Sequence, residues 1–263
     1  MVMTVPSPVA ALYLWVVDVM PSLDHRVWAI VLVCAAVSSI AGFAFSALAG
    51  AVLFHVAQDK LHVVQIMLVA SIALQLYSVW KLRCIIEPRG LLPYFAGGIA
   101  TIPPGIYLLL NTPVAVYVGV LGALLMAYAV LMLVRPALRL KRNSLLGRVV
   151  VGALGGLTGT TAAFPGAFVT IWCNAQAWDK PHQRAIYQPF ILGMQLLTLL
   201  ALALAQPAQG LRLDALQFAI PALLGAYIGL RVFDKLSTVQ FNRVIASFLL
   251  LSGASLLAKT FPA

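Results

Sequence analysis

Gly152-Ala-Leu-Gly-Gly-Leu-Thr-Gly-Thr-Thr-Ala-Ala-Phe-Pro-Gly166 is the stretch on which the fold turns. Five of its fifteen positions are glycine and a proline stands one place from its end, yet it lies inside a long apolar run. Glycine weakens a helix and proline removes a backbone donor, so the stretch predicts a helix that breaks partway through a bilayer. Free amides and carbonyls at such a break are tolerated only inside protein or around a wet cavity, so a binding site is expected there first. An earlier stretch, Ser38-Ser-Ile-Ala-Gly-Phe-Ala-Phe-Ser-Ala-Leu-Ala-Gly50, reads as a weaker copy. The chain therefore divides into two halves, each built around an interrupted helix.

The surrounding composition sets the solvent. Of 263 residues, 62% are hydrophobic and only 9% charged, far more apolar than a soluble domain. Apolar runs recur at 27–57, 61–80, 91–110, 113–134, 149–178, 185–205, 215–233 and 240–258, each about 20 residues or longer, which is the length of a spanning helix. Barrel strands would alternate over about ten residues instead. The fold class is thus all-α, a polytopic membrane bundle. The net charge of +10 lies in the connections between runs, where it acts as a topology signal and meets lipid head groups rather than nucleic acid. Cys34, Cys84 and Cys173 have no CxxC spacing; no disulfide framework, metal or cofactor is predicted.

Residues 1–25 form a tail whose short apolar run, Val9 to Met20, reads as an interfacial helix with Tyr13 and Trp15 at head-group level. It is too short to span and lacks the basic start of a cleaved signal peptide. A first repeat follows over 26–134, a basic cytoplasmic linker over 135–148 and a second repeat over 149–263. Repetition is read from Asp59-Lys60-Leu-His62 and Asp179-Lys180-Pro-His182, three matching residues at a shift of 120 that fall at the same junction of the same hydropathy pattern.

Charge tests the direction of the second half. If all eight segments cross straight through, Lys and Arg divide 11 against 6 between the two sides. If segments one and five turn back at their glycines, Lys180, Arg184, Arg231, Lys235 and Arg243 join the cytoplasmic side, leaving Arg26, Lys60, Arg212 and Lys259 outside, and the division becomes 13 against 4. The positive-inside rule favours the second arrangement, two inverted repeats, each a broken or re-entrant first helix followed by three spans. Gly97-Gly98 and Gly225 with Gly229 mark the third segments for close helix packing, and Pro103-Pro104 predicts a kink.

The seven acids all avoid mid-span, which disfavours a cation pathway. What remains at depth is neutral: Ser38, Ser39, Ser46, Thr158, Thr160 and Thr161, the backbone at Gly42 and the other breaks, with Gln75, Tyr187, Gln188 and Gln195. Hydroxyls and half-helix N-termini donate to oxyanions without a buried cation, so a small anionic solute is expected between the two breaks. The commoner role of such hydroxyls is to bond their own helix carbonyls. Phe43, Phe45 and Phe164 flank the breaks as packing plugs or as a hydrophobic gate. No HExxH, GxSxG or Walker loop is present, so an enzyme is not expected.

These residues resemble the sulfite exporter TauE/SafE family of membrane permeases over roughly 27–258. The resemblance rests on Gly152-Ala-Leu-Gly-Gly-Leu-Thr-Gly-Thr, on Asp179-Lys-Pro-His-Gln-Arg-Ala185, on the glycine-marked third segments and on the basic loop from Arg135 to Arg148. It implies secondary transport of sulfite, an organosulfonate or a related sulfur-containing or carboxylate anion across a bacterial inner membrane. It also points to Gly156, Thr158, Gly159, Thr160 and Arg184 as contacts. The first half departs from the family's denser glycine run, and Phe43 and Phe45 should reshape its cavity. An anion-conducting pore and a non-transporting membrane scaffold remain open as alternatives, as does a homo-oligomer.

Overall fold

The computed structural model describes residues 25–41, 44–56, 59–134, 143–176, 178–206, 212–233, 246–247, 249–251 and 253–258. The expected interfacial helix, Gly42, Phe43 and most of the basic linker lie outside them. Among the described residues the fold is helical, with no strand. Its helices are α1 (His25–Ala41), α2 (Phe45–Val56), α3 (Lys60–Leu82), α4 (Pro88–Ala100), α5 (Ile102–Asn111), α6 (Val114–Val134), α7 (Leu145–Ala162), α8 (Gly166–Ala175), α9 (Lys180–Ala205) and α10 (Ala219–Phe233). A 3-10 turn, Leu213–Phe218, leads into α10, and further helical residues lie within 246–258. Five stretches are long and apolar enough to cross a membrane: α3, α4 with α5, α6 over Val114–Leu131, α7 and α9.

Local sequence explains the boundaries. Asp59 caps α3 by accepting from the Leu61 and His62 amides at 3.0 and 3.3 Å, and Ser144 caps α7 by accepting from Gly147 at 3.1 Å. The two members of the repeated motif occupy equivalent places, Asp59 before α3 and Asp179 before α9. Pro103 and Pro104 sit in the first turn of α5, where missing amides cost nothing, and the α4–α5 segment breaks at Thr101.

In segment 27–57, α1 ends at Ala41 and α2 starts at Phe45; segment 149–178 also breaks, but not where its glycine is densest. Gly152, Gly155, Gly156 and Gly159 are all helical; α7 ends at Ala163, which takes a left-handed φ of 53°, and Pro165 then starts α8. The Phe164 amide donates back to the Thr158 carbonyl at 3.2 Å, closing the turn. The glycines serve close approach instead. A methyl added at Gly155 would stand 2.8 Å from the Pro165 carbonyl, one at Gly159 equally near the Pro165 ring, and one at Gly147 would strike the Trp172 indole. Residues 165 and 172 thus lie beside 155–159 and 147, so α8 runs back along α7 as a helical hairpin. In the other half, α1 and α2 also pack on each other.

Each hairpin packs on the third segment of the other half. A Cβ at Gly97 would collide with the Val149 carbonyl, and one at Gly152 with Tyr94, so α4 and α7 meet backbone to backbone. Along α1, Gly225 and Gly229 of α10 leave the same room for the carbonyls of Leu32 and Ala36. Between these pairs cross α3 and α9; α3 is buried without a gap from Val63 to Gln75, the mark of a helix enclosed by others. Outward, Leu92, Val120 and Leu204 are more than 60% exposed, a surface suited to acyl chains.

Candidate functional site

A cavity of about 130 Å³ opens where the first hairpin meets α3, α9 and α10. Ser38 and Ser39 reach it from the end of α1, Phe45 from the start of α2 and Ala226 from α10. From α3 come Leu74, Gln75, Tyr77, Ser78, Lys81 and Leu82; from α9 come Arg184 and Gln188. Going from Ser71 to Lys81 along α3, the facing residues on α9 run from Gln195 back to Arg184, so the two helices are antiparallel. That crossing is what brings Lys81 and Arg184, 103 positions apart in the chain, to one mouth.

Polarity is graded along the cavity. Lys81 is exposed and Arg184 half-buried, while Ser38, Gln75 and Gln188 are buried. No acidic side chain is among the described residues that line it. Ser38, Ser39 and Ser78 donate to the carbonyls of Ala35, Ala36 and Leu74 at 3.3, 2.9 and 3.2 Å, so their hydroxyl hydrogens are spent on their own helices. An anion entering this space would therefore be met by the two cations first and by the carboxamides of Gln75 and Gln188 further in. Gln188 keeps its Oε1 without a protein partner at 3% exposure.

The residues expected from the sequence fall into two groups. Ser39, Phe45 and Arg184 meet at the cavity. The second group gathers at the other hairpin. There the carbonyls of Leu154 and Gly155, at 2.9 and 3.2 Å, and that of Phe164 across the turn, at 3.1 Å, all lie within reach of the single hydrogen of the Thr158 hydroxyl. Thr160 bonds the Gly156 carbonyl, Thr161 bonds that of Leu157 at 2.7 Å, and Gly159 lies on Pro165. Gly156 faces Gly98 and Thr101, and Thr160 faces Gly105. Phe164 is fully buried edge-on to Tyr128, with ring centres 5.5 Å apart. Ser46 is buried at the start of α2, outside the cavity lining, with no protein partner for its hydroxyl.

Sequence reasoning passed over Lys81 and gave the glutamines no role. One signal was available: Gln75 and Gln195 stand 120 apart, the spacing of the repeated motif, and each interrupts a mid-span apolar run.

The far end of the bundle carries a different cluster. Arg212 reaches Asp59 at 3.4 Å and Asp214 at 2.9 Å, and its amide donates to Gln65 at 3.2 Å. Lys60 donates to the Thr112 carbonyl at 2.8 Å, and the Trp28 indole to Gln217 at 3.2 Å. Lys60 and Arg212 thus share one end, while Lys81 and Arg184 share the cavity. Straight crossing of all segments would part both pairs.

Apolar spans around a polar cavity with a cationic mouth define a multi-pass membrane protein of the transporter class. The chain belongs to the sulfite exporter TauE/SafE family, whose family model matches residues 27–256. No curated protein and no solved structure matches it.

Proposed function

We propose that this protein is a secondary carrier of a small anion, sulfite, an organosulfonate or a related sulfur-containing or carboxylate anion, and that the cavity beneath Lys81 and Arg184 is where the anion binds. One observation carries the reading: two cations and two buried carboxamides converge on a cavity, and none of the described residues that line it is a carboxylate. Gln75, Gln188 and Arg184 are the contacts, Ser39 and Phe45 line the wall beside them, and Lys81 recruits anions from solution. Membership in a sulfite-exporter family supports the substrate class.

The architecture behind it is two inverted repeats, 26–134 and 149–263, joined by the basic linker 135–148 and preceded by the tail 1–25. Support comes from the antiparallel course of α3 and α9, which both start at an Asp-Lys-x-His sequence, and from the exchange of partners between the halves, α1 with α10 and α7 with α4. Placing the 13 basic residues inside puts the cavity mouth on the cytoplasmic face of a bacterial inner membrane.

The test is flux in proteoliposomes, with sulfite, sulfoacetate and acetate as separate probes. Saturable movement of at least one of them is expected. Arg184→Gln should raise the half-saturating concentration about tenfold, the scale of one hydrogen bond to a charged group. Lys81→Gln should do less and lose its effect in high salt, because an exposed charge is screened. Flux that never saturates would mean a pore, and no movement of any probe would overturn the reading.

A further inference from the structure

The open cavity has a counterpart that this conformation keeps shut. Shifting by 120 carries Gln75 to Gln195, Ser78 to Thr198 and Ser38 to Thr158. These residues lie at the second hairpin and α9, where Gln195 and Thr198 are at most 1% exposed and Thr158 is half-buried. Yet Gln195 Oε1 and Thr198 Oγ1 have no hydrogen-bond partner among the described residues. A polar atom buried without a partner costs more than an apolar side chain of the same shape, so leucine and valine would serve a permanently sealed core better. Gln195 donates to the Ser71 hydroxyl at 2.7 Å and more weakly to the Ala163 carbonyl at 3.5 Å, tying α9 to α3 and to the hairpin turn.

We propose that Gln195 and Thr198, beside Thr158, line a second vestibule for the same small anion, closed here, which opens toward the face opposite Lys81 and Arg184 when the first cavity shuts. The proposal rests on the anion-carrier reading and on the repeat, and it goes beyond both in one respect. The 120-residue counterparts of Lys81 and Arg184 are Ala201 and Val64. The second vestibule therefore receives the anion with neutral donors alone, so binding from that side is weaker and insensitive to salt. The carrier binds tightly on one face and releases on the other.

Cysteine labelling tests this without any anion. Of the three cysteines Cys34 and Cys173 are buried and Cys84 is exposed, so a Cys84→Ser chain is a quiet background. Ser78→Cys and Thr198→Cys are placed in it singly, and sealed vesicles of each orientation meet a membrane-impermeant thiol reagent. Modification of Ser78→Cys from the Lys81 face and of Thr198→Cys from the opposite face only is the expected result. Adding Ser71→Ala, which removes the partner of Gln195, should speed Thr198→Cys labelling about fivefold, the scale of one lost hydrogen bond. Gln195→Cys reads the same vestibule should Thr198→Cys fail to fold. If both reporters stay inert from both faces while Ser78→Cys reacts, or if they react from the Lys81 face, the second vestibule does not exist. A protein that labels on opposite faces but moves no probe anion keeps the vestibule and loses the carrier reading; one that moves anion with Thr198→Cys and Gln195→Cys inert loses the vestibule alone.

Discussion

The two helical hairpins, α1 with α2 and α7 with α8, are packed to different ends. The second is tight: Gly155 and Gly159 let Pro165 lie against α7, and Thr158 stitches the turn to the helix it leaves. Against α4 it is tighter still, with glycine on both partners, Gly152 and Gly156 on one side and Gly97 on the other. The first hairpin meets α10 with glycine on the α10 side alone; α1 offers Ala35, Ala36 and Ser39 there, and the cavity lies beside that contact. The stretch richest in glycine, 152–166, therefore marks the tightly packed hairpin, and the poorer stretch 38–50 marks the hairpin beside the cavity.

The largest effect expected of any single change follows from that contrast. Gly97→Ala or Gly152→Ala puts a methyl into a facing carbonyl, and neither backbone can yield without parting α4 from α7; the cost is about 3 kcal/mol or more, the upper range of overpacking. Gly90→Ala, in the same helix α4, meets nothing within 4 Å and should leave stability level or raise it by up to about 1 kcal/mol. Denaturant-induced unfolding of the detergent-purified variants reads both. A Gly152→Ala protein as stable as Gly90→Ala would remove the tight half of the comparison.

The same contrast shows what could be read from residue types alone. A broken helix at 149–178 was legible because glycine and proline in an apolar run have few other uses. The position of the break was not: lacking a Cβ, glycine serves backbone freedom and close approach equally, and only the contacts to Tyr94, Val149 and Pro165 tell which. Charge was informative for a different reason. The hairpin arrangement groups Lys81 with Arg184 and Lys60 with Arg212, and those are the groupings found at the cavity and at the far end. The glutamines stayed hidden because their value lies in the meeting of α3 and α9, a contact between residues more than a hundred positions apart.

A smaller effect separates the two hairpin hydroxyls. Ser38 and Thr158 stand 120 positions apart, near the ends of α1 and α7, but Ser38 bonds only the Ala35 carbonyl of its own helix, whereas Thr158 also reaches the Phe164 carbonyl beyond the turn. Thr158→Val should cost about 1 kcal/mol of stability, one net hydrogen bond, and Ser38→Ala close to none. Equal losses in thermal unfolding would mean that the turn of the second hairpin is held by Pro165 and the left-handed Ala163 without the hydroxyl.

The smallest effect belongs to the conspicuous ion cluster at the far end. Arg212 pairs with Asp59 and Asp214, yet its side chain is 46% exposed and Asp59 is 56% exposed, so water and salt compete for every charge. Exposed pairs contribute between nothing and about 1 kcal/mol, and Arg212→Gln should fall in that range and vanish at high ionic strength. The Arg212 amide bond to Gln65 is untouched by the substitution, so the link between the 3-10 turn and α3 persists. A loss well above 1 kcal/mol that survives in molar salt would place this cluster among the structural clamps of the bundle, and the grading of the molecule into a tight half and an open half would then need a third fixed point.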